Sequence, residues 1–234
     1  MDNVVQLPLN IQLREIFTFE NFIIGKNQPL IAALDEFLFQ SQGGLFSIWS
    51  EPHQGLSHFL QAISQKINTQ HALYFPCEEL LHFPTEIFSN IENIDIIILD
   101  NIERLAKKTD WELALFNLYN NLMSSNKKLI AGSHITFSEL PFSLKDLFSR
   151  LQSGVTFKLL SPDDADKKLI LQMHASKYGL KLPENVSTFL LTHYSRDLIT
   201  LLKLLDQLDN ASLREKRKLT VPFVKEILSY APGN

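Results

Sequence analysis

The stretch Trp49-Ser50-Glu51-Pro52-His53-Gln54-Gly55-Leu56-Ser57-His58 puts a glycine and a hydroxyl where a phosphate-binding loop needs them. The apolar run Leu45-Phe46-Ser47-Ile48-Trp49 precedes it and reads as a buried strand; Phe59, Leu60, Ile63 and Ile67 follow at helical spacing. In a strand–loop–helix unit with Gly-x-Ser at the helix start, main-chain N–H groups and the helix dipole hold phosphate. The pattern G-x-x-x-x-G-K-[ST] is half present. Gly55 and Ser57 fit its last glycine and its hydroxyl, Ser50 stands at the first glycine, and Leu56 replaces the lysine. The loop therefore has the layout of a P-loop with weakened phosphate chemistry.

A second candidate is Asp100, which ends the most apolar run of the chain, Ile94-Asp95-Ile96-Ile97-Ile98-Leu99. Ligands of open α/β sheets bind beyond the carboxyl ends of strands. There Asp100 could join Ser57 around Mg²⁺, or simply cap the next helix. The next residue, Asn101, is an amide where a hydrolytic site uses an acid, and an amide cannot take up a proton. Glu103 is near in sequence. Ser133-His134 follows another apolar run and could sense a terminal phosphate or form a turn. Arg150, late in a short helix, and Arg196, opening a later one, are either surface ion-pair residues or cations aimed at phosphate. A cation at a helix start opposes the helix dipole, which favours the second reading for Arg196.

The elements that must position these residues follow from periodicity. Leu30, Ile31, Leu34, Phe37 and Leu38 predict a helix from Pro29 to Gln40. Further strands are expected at Ala72–Phe75, Ile94–Leu99, Lys128–Gly132 and Gly154–Leu159. Helical patches lie around Leu80 and Ile87, with helices from Trp111 to Ser124 and from Leu144 to Leu151. Apolar strands alternating with helices predict a parallel sheet covered on both faces. Beyond Leu160 the strands stop. Ser161-Pro162-Asp163-Asp164 reads as a helix start with a Ser cap and Pro in the first turn, and that helix ends near Gly179. Pro183, Arg196 and Thr220 open three more helices. The expected division is a tail over residues 1–20, an α/β core over 21–160 and a small helical domain over 161–234.

At 234 residues the chain can bury one good core and a small second one. A net charge of −4 provides no general attraction to nucleic acid, so strong direct DNA binding is not expected. A single cysteine, Cys77, has no partner at metal-ligand spacing and reads as a core or helix-start residue. No apolar run is long enough for a bilayer and the N-terminus lacks a signal-peptide layout, so the expected location is the cytoplasm, off the membrane. Gln6-Leu7-Pro8-Leu9-Asn10-Ile11 is either a tail packed on the core or an extended peptide whose alternate side chains fill a partner's pockets.

Taken together these residues resemble the AAA+ domain of the bacterial replication initiator DnaA, and more closely the Hda family of short DnaA homologues that inactivate DnaA. Gln6-Leu7-Pro8-Leu9, Trp49 with Gly55-Leu56-Ser57-His58, Leu99-Asp100-Asn101-Ile102-Glu103 and Asp146-Leu147-Phe148-Ser149-Arg150-Leu151 carry the resemblance. It continues in Leu205-Asp206-Gln207-Leu208-Asp209 and in Arg217 to Leu228. It implies an AAA+ sheet with a helical lid and no DNA-reading domain. Gly55, Ser57 and Asp100 match nucleotide-binding positions, and Ser133 or His134 falls in the first sensor region. Arg196 matches the second sensor, and Arg150 the arginine finger. Gln6, Leu7, Leu9 and Ile11 look like a peptide that binds the β sliding clamp of DNA polymerase III, with Asn10 a departure where an apolar residue is common.

The resemblance implies a regulator that, on the DNA-loaded clamp, stimulates hydrolysis of DnaA-bound ATP in trans through Arg150 and hydrolyses little or no ATP itself. ADP or ATP, accompanied by Mg²⁺ on Ser57 and Asp100, is the implied cofactor. Leu56 and Pro52 leave two outcomes open: weak binding through main-chain N–H groups and Arg196, or loss of nucleotide with the fold kept as a scaffold. A self-contained ATPase with an unusual loop is the alternative, and Leu56 and Asn101 stand against it. Self-association as a homo-oligomer is compatible with either.

Overall fold

The structure, a computed structural model, describes residues 17–67, 71–89, 91 and 93–229. After a 3-10 turn at Gly25–Asn27 come α1 (Gln28–Phe39), β1 (Gly44–Trp49), α2 (Leu56–Ile67), β2 (Ala72–Pro76) and the short α3 (Cys77–Leu80). Then follow β3 (Ile96–Asp100), α4 (Thr109–Ser124), β4 (Lys128–Ser133), α5 (Lys145–Gln152) and β5 (Val155–Lys158). The strands form one parallel sheet in the order β2-β3-β4-β1-β5, as the alternation of elements predicts. Every residue of β3 and β4 is buried, which is why both read as continuous apolar runs. β3 starts at Ile96, two residues later than its apolar run, because Ile94 N–H closes a turn on the carbonyl of Ile91.

Alternate strand residues feed opposite faces. Ile97, Leu99 and Leu129 pack with Leu115, Leu118 and Leu122 of α4 and with Leu147 and Leu151 of α5. Phe46, Ile48, Ile98 and Ile130 pack on the other face, with Leu34 of α1 and with Leu56, Phe59 and Leu60 of α2. Gly132 lets α2 approach closely: a Cβ there would lie 2.4 Å from Leu60 Cδ1. Cys77 is buried at the first position of α3, so it is a core residue at a helix start.

Beyond the sheet lie α6 (Asp164–Lys177), α7 (Glu184–His193), α8 (Leu198–Glu215) and α9 (Val221–Ser229) around a core of their own. Leu171, Leu190, Leu201, Leu205, Leu208 and Phe223 fill it. The start of α6 corrects the expected Ser161 cap. Asp163 is the cap, its Oδ1 accepting the N–H groups of Ala165 and Asp166 at 3.1 Å, while Asp166 Oδ2 accepts the N–H of Asp163 at 3.1 Å. A carboxylate at both ends of this capping box satisfies orphan donors at the positive end of the dipole. Pro162 lies outside the helix. Asn27 ties the linker into the core, donating to the carbonyl of Leu160 at 3.1 Å and accepting its N–H at 2.7 Å. No helix among the described residues is long and apolar enough to cross a membrane.

Candidate nucleotide site and exposed arginine

The turn from β1 to α2 is built on two left-handed positions, His53 at φ 67° and Gly55 at φ 89°. The second is where glycine costs least. Ser50 is fully buried; its N–H donates to the carbonyl of Ser133 at 3.1 Å and its hydroxyl to the carbonyl of Glu51 at 2.9 Å. Pro52 contributes no N–H to the loop. Leu56, at the lysine position, is 1% exposed and packs in the core between α2 and the sheet. It is a core side chain, within 3.5 Å of where a Cβ on Gly132 would lie, and supplies neither cation nor donor to the loop.

Asp100 sits at the carboxyl end of β3, 2% exposed. Tyr74 Oη donates to its Oδ2 at 2.6 Å, and Gln61 Nε2 donates to Tyr74 Oη at 3.3 Å, linking α2, β2 and β3. Burial pushes the Asp100 carboxyl above the usual carboxylate range; the hydroxyls of Ser57 and Tyr74 and the charge of His134 pull it back. Ser57 exerts that pull, yet no aligned hydrogen bond reaches Oδ1, which is buried without a partner. Gln61 Oε1, Asn101 Oδ1 and Glu103 Oε2 are in the same condition. Of the five such oxygens among the described residues, four therefore belong to residues around the end of β3. Buried acceptors without donors are what a hydrated cation satisfies. The donor set here fits Mg²⁺ with its waters, whereas the loop lacks the cation that holds the phosphates beside it.

Asn101 adopts the left-handed conformation at φ 59° and leads into a 3-10 turn, Ile102–Leu105, rather than capping a helix with its side chain. Glu103 Oε1 accepts the N–H of His134 at 3.3 Å, which turns this acid towards the end of β4. Ser133 Oγ accepts the N–H of Ile135 at 3.1 Å and belongs to the turn. His134 Nδ1 lies 3.3 Å from the carbonyl of Ser50, so Nδ1 is the donor and the imidazole is held against the loop. Of the two sensor candidates, His134 is the one whose side chain reaches the loop, while Ser133 meets it only through its carbonyl.

Arg196 does not open α8. Asp197 caps that helix, its Oδ2 accepting from Thr200 N and Thr200 Oγ1 at 2.8 Å each, and Arg196 lies one residue outside it. Its guanidinium is exposed and pairs with Asp164 Oδ2 at 3.6 Å. The expectation that a cation opens this helix against its dipole is therefore corrected: an acid holds the helix start, and Arg196 precedes it.

Periodicity gives no sign of a cavity of about 130 Å³ beside Gly55. Phe22 of the N-terminal segment, His58 of α2, Ile170 and Met173 of α6, and Leu198 and Leu202 of α8 all face it. His58 Nε2 lies 2.8 Å from Asn21 Oδ1 and 3.2 Å from the carbonyl of Thr18, and its ring packs on Phe17 and Phe22 at 4.5 and 5.2 Å between centroids. Apolar walls with a few polar groups beside a P-loop suit a flat heteroaromatic ring. The only sequence hint is the run of phenylalanines at 17, 19 and 22.

Arg150 stands apart. Its helix covers the face opposite α2, its guanidinium carbon lies 5.3 Å from the Phe116 ring centroid and 5.6 Å from that of Tyr119, and among the described residues it pairs with no carboxylate. The arginine is exposed. Gln6, Leu7, Leu9 and Ile11 lie outside the described residues.

Residues 13–158 match the bacterial DnaA ATPase domain family, and residues 164–228 match the Hda lid domain family. Domain III of the Thermotoga maritima replication initiation protein DnaA superposes with a TM-score of 0.77 at 23% identity, covering 91% of this chain and 95% of that one. AMPPCP-bound DnaA from Aquifex aeolicus gives 0.67 at 22% identity over 86% of this chain and 68% of that one. The Thermotoga maritima RuvB Holliday junction branch migration motor gives 0.68 at 16% identity over 91% and 71%. At these identities the structural likeness is one of fold.

Proposed function

The chain belongs to the bacterial DnaA ATPase-domain family and carries an Hda-type lid, and from that premise we propose that it is a regulator of replication initiation acting in trans on DnaA. The observation that carries this reading is the contrast at its two sites: Arg150 is exposed and unneutralised on an aromatic shelf, while the lysine of its own loop is a buried leucine. A guanidinium stacked on rings keeps its donors free for a partner's phosphate. Directed at the γ-phosphate of ATP on DnaA, it stabilises charge that develops only in the transition state. DnaA would pass from its ATP to its ADP form, and this chain would emerge unchanged.

In the same reading Gln6, Leu7, Leu9 and Ile11 enter a groove on the DNA-loaded sliding clamp, which concentrates the arginine beside DnaA. ADP is the nucleotide best matched to this chain's own site. Its base would enter the cavity beside Gly55, and Ser57 and Asp100 would face its Mg²⁺, an ion that supplies charge neutralisation at the phosphates. Arg196 would reach the phosphates only by leaving Asp164, an exposed pair that holds it weakly. Asn101 offers no base to activate water, so the chain itself does not turn over ATP. Leu56 in the core also favours a second reading, a scaffold that holds no nucleotide. Equilibrium titration with ADP separates them, since saturation below about millimolar ligand excludes the scaffold.

The deciding experiment is hydrolysis of ATP preloaded on the cognate DnaA, with this protein and clamp-loaded DNA added together or singly. Stimulation that needs both is the expected result. No stimulation from a protein that still binds the clamp removes the trans reading. Gln6→Ala should weaken clamp affinity by about tenfold or more; unchanged affinity removes the peptide from the interface.

A further inference from the structure

Glu112 is an acid only 2% exposed, and it has no role in either site. It lies in the first turn of α4, and its carboxylate accepts main-chain N–H groups from two other segments. Oε1 takes Lys107 at 2.6 Å and Ser143 at 3.0 Å; Oε2 takes Ser143 at 3.0 Å and Leu144 at 2.7 Å. Leu144 is the cap residue of α5 and provides no side-chain cap of its own. Two N–H groups at the entry to the arginine-bearing helix, those of Ser143 and of its cap Leu144, are thus met by a carboxylate on a different helix.

The far end of α5 rests on the same stripe of α4. Glu112, Phe116 and Tyr119 stand at i, i+4 and i+7, one face of one helix. Phe116 and Tyr119 carry the guanidinium of Arg150, and Tyr119 Oη lies 3.5 Å from Ser153 Oγ, which donates to the carbonyl of Arg150 at 2.7 Å. An eight-residue helix is marginal alone and takes its place from what grips it. Here one stripe grips both ends.

We infer that Glu112 is a positioning residue for Arg150: with Tyr119 it forms a two-point mount on α4 that sets the height and direction of the arginine. The inference rests on the trans reading for its consequence in rate, and on geometry alone for the mount. An amide at 112 would turn its NH₂ towards donors and release the start of α5. The arginine would then sit off its productive position, and a displacement of about 1 Å costs on the order of a hundredfold in a positioned reaction.

The test measures stimulated hydrolysis of DnaA-bound ATP over a range of concentrations of full-length wild type, Glu112→Gln and Tyr119→Leu. In parallel, the Arg150 side-chain Nε–Hε resonance is followed in ¹⁵N-labelled protein and assigned with Arg150→Lys. The expected result is a maximal rate lowered by about ten- to a hundredfold, an unchanged half-saturating concentration, and an Arg150 resonance that leaves its ring-shifted position. Tyr119→Leu removes one of the shifting rings and is read by maximal rate alone; Glu112→Asp, which draws the carboxylate back by one methylene from Ser143 and Leu144, carries the test if Glu112→Gln does not fold. A resonance that stays in place, or moves without any change in maximal rate, overturns the inference. If Arg150→Ala itself leaves the rate unchanged, the trans reading fails separately, and the resonance alone decides whether Glu112 sets the side chain.

Discussion

The two ends of this molecule that handle charge are built in opposite ways. Around the end of β3, acceptors gather without donors: Asp100 Oδ1, Asn101 Oδ1, Glu103 Oε2 and Gln61 Oε1 are buried and unpaired, beside a loop whose cation has become Leu56. On α4 and α5 the arrangement is complete. A buried carboxylate has its main-chain donors, and two rings hold the guanidinium of an exposed Arg150. The first site keeps buried acceptors that no protein donor reaches, while the second is finished within the chain, its buried carboxylate and its guanidinium both held. A catalytic group that acts on another chain's substrate gains from such preorganisation, because no reorganisation is left for the moment of reaction.

The largest test of that contrast is Arg150→Ala, which should cost on the order of 10³ or more in stimulated hydrolysis and leave clamp affinity intact. Retained stimulation would mean that the finished site is not the working one. Next is Leu56→Ala, which should lower unfolding free energy in urea by about 2–5 kcal/mol if the side chain is core; a value near zero would put Leu56 back in the loop.

A pH series sharpens the other half. Asp100 is raised by burial above 3.8, so it binds its proton more tightly folded than unfolded. Its contribution to stability is full below the unfolded value and is lost as pH rises through the folded one. Asp100→Asn removes that loss, so its melting temperature relative to wild type should climb as pH rises above the ordinary carboxylate range. A flat difference would show that the carboxylate is solvated or paired. Smallest is Asp197→Ala at the α8 cap, expected to cost about 0.5–2 kcal/mol by thermal unfolding. Asp197 is held below 3.8, chiefly by the N–H of Thr200, so its contribution runs the other way and is lost as pH falls.

Much of this architecture is legible in the sequence. β3 and β4 read correctly because burial on both faces leaves an uninterrupted apolar run, and both are buried throughout. The helices read correctly where one face carries leucines at helical spacing, as in α8. Caps are less legible. Ser161 and Arg196 are well placed by spacing, but Asp163 and Asp197 hold the helix starts, because a cap is decided by which side chain reaches the free N–H groups. The Asp163 box draws on Asp166, three residues on, and needs no serine.

The sequence by itself determined the parallel sheet, the helical lid, the interrupted phosphate loop and the identity of each charged residue near it. These depend on local pattern, which short stretches of chain carry whole. Tertiary structure alone decided that Leu56 faces the sheet, that the side chain of His134 and not that of Ser133 reaches the loop, and that Glu112 and Arg150 share one stripe of α4. It also decided that the N-terminal segment, the loop helix and the lid close around one cavity. Each is a matter of where a side chain points relative to an element far away in sequence. That direction is set by how helices seat on the sheet and by which polar atoms must find partners once water is excluded.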